Sequence, residues 1–252
     1  MPYKTGLVVL ILLTLLVLPQ LMEAYFDLPP LPPPEEYGNI LINRTSEKNN
    51  VKAVSFSHWI HRRKHTCRVC HFELEFNMKA NTTEITEALN RSGRFCGTCH
   101  NGKDLFGHEN PADCERCHNG KRDSGKEKFA ELSKFPKTKF GNGIDCVAAM
   151  RDGFIKPVNY LTIKPPEEIT FNKRIFLEAE WTNIPAAVFP HKPHNEWLEC
   201  NMCHPDIFNI KKKTTKHFYM TRILQGEFCG VCHLTVAFPM NDCKRCHPGM
   251  GH

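Results

Sequence analysis

Six times along this chain two cysteines stand three positions apart with a histidine directly after the second: Cys67-Cys70-His71, Cys96-Cys99-His100, Cys114-Cys117-His118, Cys200-Cys203-His204, Cys229-Cys232-His233 and Cys243-Cys246-His247. Together they use twelve of the thirteen cysteines and leave only Cys146 apart. A Cys-x-x-Cys pair alone also serves zinc ribbons and thioredoxin-like redox sites. The histidine decides: with 14 histidines in 252 residues, six pairs out of six followed by one is far beyond chance. Two thiols about a turn apart can each add to one of the two vinyl groups of a haem. The adjoining imidazole then lies under the macrocycle with a nitrogen at the iron. The pattern implies six covalent haem c groups. Zinc sites that each take four cysteines from two motifs are the alternative, and they leave six aligned histidines without a role.

The motifs belong to a larger repeat. Adding 133 to a residue number carries Phe56 to Phe189, His58 to His191, His61 to His194, Cys67 to Cys200, Cys96 to Cys229 and Gly97 to Gly230. Such a fixed register marks a tandem duplication. The third motif comes four residues sooner in the second copy, and the PPEE of residues 33–36 recurs at 165–168. The chain then divides into a signal peptide (1–24), a proline-rich spacer (25–34), a first triheme module (35–120), a linker with a short helix (121–164) and a second triheme module (165–252).

The signal peptide rests on Lys4, the unbroken apolar run Leu7–Leu18, Pro19 and a cleavage point after Ala24. The run is shorter than the ~20 residues that comfortably span a bilayer. An uncleaved anchor is the alternative, and only then is a membrane a partner. Either way the remainder leaves the cytoplasm, which suits cysteines that receive haem after export.

Each motif cluster spans about sixty residues, a size at which a polypeptide core alone is marginal. The haems must supply much of the interior. The fold class expected is a mostly irregular chain with short α-helices and minor β, two triheme modules in tandem. Short strands are expected at Val51–Phe56 and Ala186–Phe189, and a helix from Cys146 to about Arg151, capped by Asp145 and closed by Gly153 and Pro157. Cys146 reads as a buried small side chain. The formal charge of +6 does not argue for nucleic acid, because six haems bring up to twelve propionate charges. The run Lys211-Lys212-Lys213 reads as a solvated loop or as local neutralisation of propionates.

Six-coordinate irons need a second protein ligand each. The strongest candidates are the pairs in FSHWIH and FPHKPH: His58 and His61, His191 and His194, nine and six residues before the first cysteine of each module. The third haem of each module has less to draw on. Module two offers His217 and, three residues on, Met220; module one has no histidine between His71 and Cys96 but offers Met78. Alternatively His108 and Met240 hold matching places two residues after Phe106 and Phe238. A thioether ligand raises the potential of its haem. His65 and His252 have no assigned role.

The order Phe-x-His-x-x-His followed by three Cys-x-x-Cys-His motifs, present at 51–120 and again at 181–249, resembles the triheme c-seven type cytochromes, relatives of the tetrahaem c-three cytochromes common in metal- and sulfur-reducing bacteria. The resemblance implies that His58 and His191 ligate the haems of the first motifs, and His61 and His194 those of the second. It also implies a histidine between motifs one and two for the third haem; His217 fits that loosely, and module one departs from it. Residues 121–164 lie outside the resemblance.

The expected function is electron transfer by an exported hexahaem protein in the periplasm or at the cell surface, in anaerobic respiration. Its partners would be other redox proteins: cytochromes, membrane quinol-oxidising complexes and outer-surface cytochromes. A multihaem reductase, with one iron left open for a small inorganic substrate, is the competing class.

Overall fold

In the computed structural model of the chain the described residues are 28–166, 171–179, 184–209 and 219–250. The signal peptide, His217, His252 and the run Lys211–Lys213 lie outside them. The chain divides into two compact units, Met1–Pro30 and Leu31–His252, and the description below concerns the second.

Short β-branched and aromatic stretches form two antiparallel ribbons. Strand β1 (Asn39–Ile42) pairs with β2 (Val54–Ser57), from Asn39 opposite Ser57 to Ile42 opposite Val54. Strand β3 (Arg174–Leu177) pairs with β4 (Ala187–Pro190), from Arg174 opposite Pro190 to Leu177 opposite Ala187. β2 and β4 lie in the two regions where strands are expected, shifted by a residue or more at their ends. Their partners β1 and β3 have no counterpart in the sequence reading. β2 runs directly into a one-turn helix His58–His61, and β4 into His191–Asn195, so the duplication is one of structure as well as sequence. The remaining elements are short: a π-turn at Val69–Glu73, 3-10 turns at Phe95–Thr98 and Cys200–Met202, and single turns of α-helix at the third motifs, Cys114–Cys117 and Cys243–Cys246.

The main apolar core comprises Trp59, Leu132, Phe135, Ile144, Ala149, Ile155 and Trp197. Trp59 comes from the first copy and Trp197 from the second. The other five come from the segment between them. There, 3-10 turns at Lys126–Lys134 bury Leu132. A helix at Cys146–Arg151 buries Ala148 and Ala149, and the Asp145 carboxylate accepts from the Ala148 amide at 2.9 Å. That is the cap the sequence predicts, worth about 1 kcal/mol. Gly153 follows the helix with φ of 79°. Cys146 is half-buried and packs, like Cys67, against the same cluster.

The segment ends in a strap across the first copy. Thr66 donates to the Val158 carbonyl and Val158 to that of Lys64. The Glu73 carboxylate accepts from the amides of Leu161, Thr162 and Ile163 at 2.8–3.1 Å. Burial pushes this carboxyl up, but the backbone hydrogen bonds outweigh it and hold Glu73 below its ordinary value.

Both second motifs carry glycine against a neighbouring turn. A Cβ at Gly97 would lie 1.8 Å from the Asn90 carbonyl oxygen, and one at Gly230 would lie 1.9 Å from that of Ile223. Because the obstruction is backbone, it cannot rotate away. Gly97→Ala and Gly230→Ala are each expected to cost about 2 kcal/mol or more, read as a lowered melting temperature of the purified protein.

Candidate haem-binding sites

Ten histidines share one arrangement. In each motif the ring Nδ1 faces a backbone carbonyl at 2.7–3.2 Å: His71 to Phe76, His100 to Phe106, His118 to Lys52, His204 to Phe208, His233 to Phe238 and His247 to Pro185. The upstream pairs do the same at 2.8–2.9 Å: His58 to Gly38, His61 to Ser57, His191 to Lys173 and His194 to Pro190. A carbonyl oxygen only accepts, so Nδ1 must carry the proton and donate. Nε2 is left as a lone pair. Metal-ligating histidines are set up in this way, with the second ring nitrogen tied to a carbonyl or carboxylate.

Three of these imidazoles from the upstream pairs face a motif histidine. His58 and His71 have ring centres 6.5 Å apart and nearly parallel planes (8°). His61 and His100 are 6.3 Å apart, as are His194 and His233. Two imidazoles that share one ion through Nε2, each at about 2.0 Å, place their centres about 6 Å apart. An iron fits between each pair. The described residues include no group of three or more histidine, cysteine or acidic side chains arranged to hold a metal ion. These facing pairs are the residues that would hold a haem iron.

The Phe-x-His-x-x-His motif has a geometric cause. Phe56 lies edge-on to His58 at 4.9 Å and against His61 at 4.4 Å; Phe189 does the same to His191 and His194 at 4.9 and 4.4 Å. One ring per copy wedges two imidazoles apart. Further stacks tie the third motif to the second. Arg116 lies 3.5 Å over the Phe106 ring, which packs on His100 at 4.5 Å; Arg245 lies 4.6 Å over Phe238, which packs on His233 at 4.3 Å.

Burial sets the charge state. It lowers His58 and His233 to about 4, and lowers His61, His71, His100 and His194 as well, so these rings are neutral at pH 7. It pushes the thiols of Cys70, Cys229 and Cys232 up to about 12 and that of Cys96 to about 11. These are thiols and not thiolates at pH 7, and addition to a haem vinyl group would consume each as a whole thiol. Cys67 and Cys203 add to the rise at Cys232, which sets the first motif of one copy beside two motifs of the other.

The third motifs differ. Among the described residues no ring contact joins His118 or His247 to another imidazole. Met78, His108 and Met220 are half-buried; the His108 carbonyl accepts from Arg91, and no hydrogen bond or ring contact brings these three side chains to His118 or His247.

The sequence profile of "Cytochrome c7 and related cytochrome c" matches residues 54–119 and 187–248, just over half of the chain. The chain belongs to the cytochrome c7 family. Among solved structures it is similar to a c7-type three-haem cytochrome domain, with 34% identity over 32% of this chain and 91% of that one, at a TM-score of 0.28. It is also similar to the C-terminal hexahaem fragment of GSU1996, with 25% identity over 86% of this chain and 99% of that one, again at 0.28. The dodecahaem cytochrome c GSU1996 itself is 23% identical over 85% of this chain and 75% of that one, with a TM-score of 0.28. A search of curated proteins found no match. This c7-family chain is a multihaem c-type cytochrome, and covalent haem c is the group its motifs take.

What the sequence did not disclose in this cytochrome is the set of carbonyls behind the rings. A signal was present for four of them, since a phenylalanine follows each histidine of the first two motifs after four to six residues: Phe76, Phe106, Phe208 and Phe238. The charges at the first motif were also unmarked. Arg62 stacks 5.0 Å over the Trp197 ring with its Nε buried and without a hydrogen-bond partner.

Proposed function

We propose that this chain is an exported hexahaem c-type cytochrome that carries electrons between redox partners in the periplasm or at the cell surface, in anaerobic respiration. The observation that carries this reading is the set of facing imidazoles 6.3–6.5 Å apart, each with Nδ1 donating to a carbonyl and Nε2 free. When bound, haem supplies a reversible one-electron iron couple; the chain sets its potential through ligand, burial and charge.

In this reading the twelve motif cysteines form the thioether bonds, and His71, His100, His118, His204, His233 and His247 take the lower face of each iron. His58 and His191 close the first irons of the two modules, and His61 and His194 the second. The third irons draw on His108 or Met78 in module one and on His217 or Met220 in module two. The modules are residues 35–120 and 165–252, with 121–164 between them. Export rests on the pattern of residues 1–24; among the described residues no helix is long and apolar enough to cross a membrane. The partners are redox proteins: other cytochromes, quinol-oxidising membrane complexes and outer-surface cytochromes.

A multihaem reductase, which needs one iron with an open face, is the second reading. Mass spectrometry of the purified protein, with its low-temperature magnetic resonance spectrum in the ferric state, separates the two. A mass excess of six haems with low-spin irons throughout is the expected result. A high-spin fraction in the wild-type protein favours the reductase, and a colourless or zinc-loaded product overturns both readings. His58→Ala is expected to turn one low-spin centre of the six high-spin and leave the other five unchanged.

A further inference from the structure

The two copies meet in two places: the buried Tyr37, beside the Gly38 carbonyl that His58 faces, donates its hydroxyl to the Ala237 carbonyl at 2.6 Å, and a larger set of residues clusters at the first motif of copy one. Arg68, inside the motif Cys67–His71, donates its backbone amide to the Trp197 carbonyl at 3.0 Å. Its side chain pairs with Glu199, the residue before Cys200, at 2.5 Å and with Glu73 at 2.8 Å. The Arg68 and Glu73 side chains are 3% and 2% exposed and that of Glu199 18%, so the charges face protein and not water. Arg62, one turn before the motif, reaches the Val236 carbonyl at 3.3 Å and covers the Trp197 ring. Cys67 and Leu198 pack on one apolar cluster with Trp59 and Trp197.

The third motifs are placed otherwise. His118 donates to Lys52 and Gly120 to Ala53, within copy one; His247 donates to Pro185, within copy two. Cys114 and Cys243 are exposed, as is Cys200 in the first motif of copy two. In chain order the third motif of copy one would be the one to adjoin copy two, yet the buried contacts skip it.

We propose that the two modules are joined through the first motif of module one, at which electrons cross between them. The proposal rests on the electron-carrier reading of the same motifs. Arg68 and Glu199 are positioning residues: they hold Cys67–His71 against the segment that opens at Cys200, while the 159–163 strap covers the pair from outside through Glu73. Electrons balance without any further reagent. One electron enters from a reduced partner protein, one leaves to an oxidised partner protein, and the chain returns to its starting state.

The test is exchange NMR of the full hexahaem protein at successive stages of reduction, with signals assigned to each haem, which yields the redox interaction of every pair. Coulomb interaction falls with separation. The expected result is that the strongest interaction between modules joins the first-motif haem of module one to the first- or second-motif haem of module two, by at least about twofold over any other cross-module pair. A strongest cross-module interaction at the Cys114–His118 haem overturns the proposal. A protein without haem signals would instead overturn the electron-carrier reading. Glu199→Gln is expected to weaken the cross-module interaction and leave interactions within each module in place. An unchanged cross-module interaction in that variant would remove Glu199 and Arg68 from the junction, and the wild-type measurement decides the rest whether or not the variant folds.

Discussion

A neutral imidazole has one nitrogen that donates and one that accepts, and this chain commits the donor ten times to a backbone carbonyl. Much of the local structure follows from supplying those carbonyls in the right places. Ser57 and Pro190 are the last residues of β2 and β4, and their oxygens receive His61 and His194 four positions on. A strand that turns straight into a helix is the shortest way to put a carbonyl and a ring one turn apart. The oxygens for His118 and His247 come from Lys52 and Pro185, which occupy the same place in the two copies. The ribbons are too short to be stable alone; their use is to hold acceptors.

The modules could not bury much apolar surface by themselves, and the core lies where they adjoin. Its two tryptophans are tied to the imidazole sites. Trp59 sits between His58 and His61 in one helical turn, and Trp197 follows His194 by three residues. Leu132, Phe135, Ile144, Ala149 and Ile155 fill the space between them. At roughly 25 cal/mol for each Å² of apolar surface buried, this cluster stabilises the polypeptide directly. It anchors the two histidine helices to a common body, so apolar packing and ligand placement are one problem in this chain.

The motifs, the upstream histidines and the Asp145-capped helix could be read directly, because each depends on neighbours within about one turn. β2 and β4 were legible as short β-branched runs. β1 was not: Asn39-Ile40-Leu41-Ile42 has no alternation, and its strand character comes from pairing with β2. The stretch beginning at Lys121 is rich in lysine and glutamate and looks like a solvated linker, yet Leu132 and Phe135 within it are among the most buried residues. Glu73 likewise looks like a surface carboxylate until the strap folds over it. These are tertiary facts, set by residues more than fifty positions away.

The duplication also shows what had to stay equal and what had to diverge. Phe56 and Phe189, with the histidines beside them, keep identity, register and spacing, because a ring wedged between two imidazoles tolerates little change. At the junction the copies differ. Arg68 corresponds to Asn201, Glu199 to Thr66 and Arg62 to Asn195. Two identical copies meeting at this face would have to be self-complementary, as in an isologous dimer, and no single surface here supplies both halves of the pair. A copy on its own would leave Arg68 with Glu73 alone and Glu199 without Arg68. The ion pair therefore specifies which copy meets which: it favours the first copy against the second over either against itself.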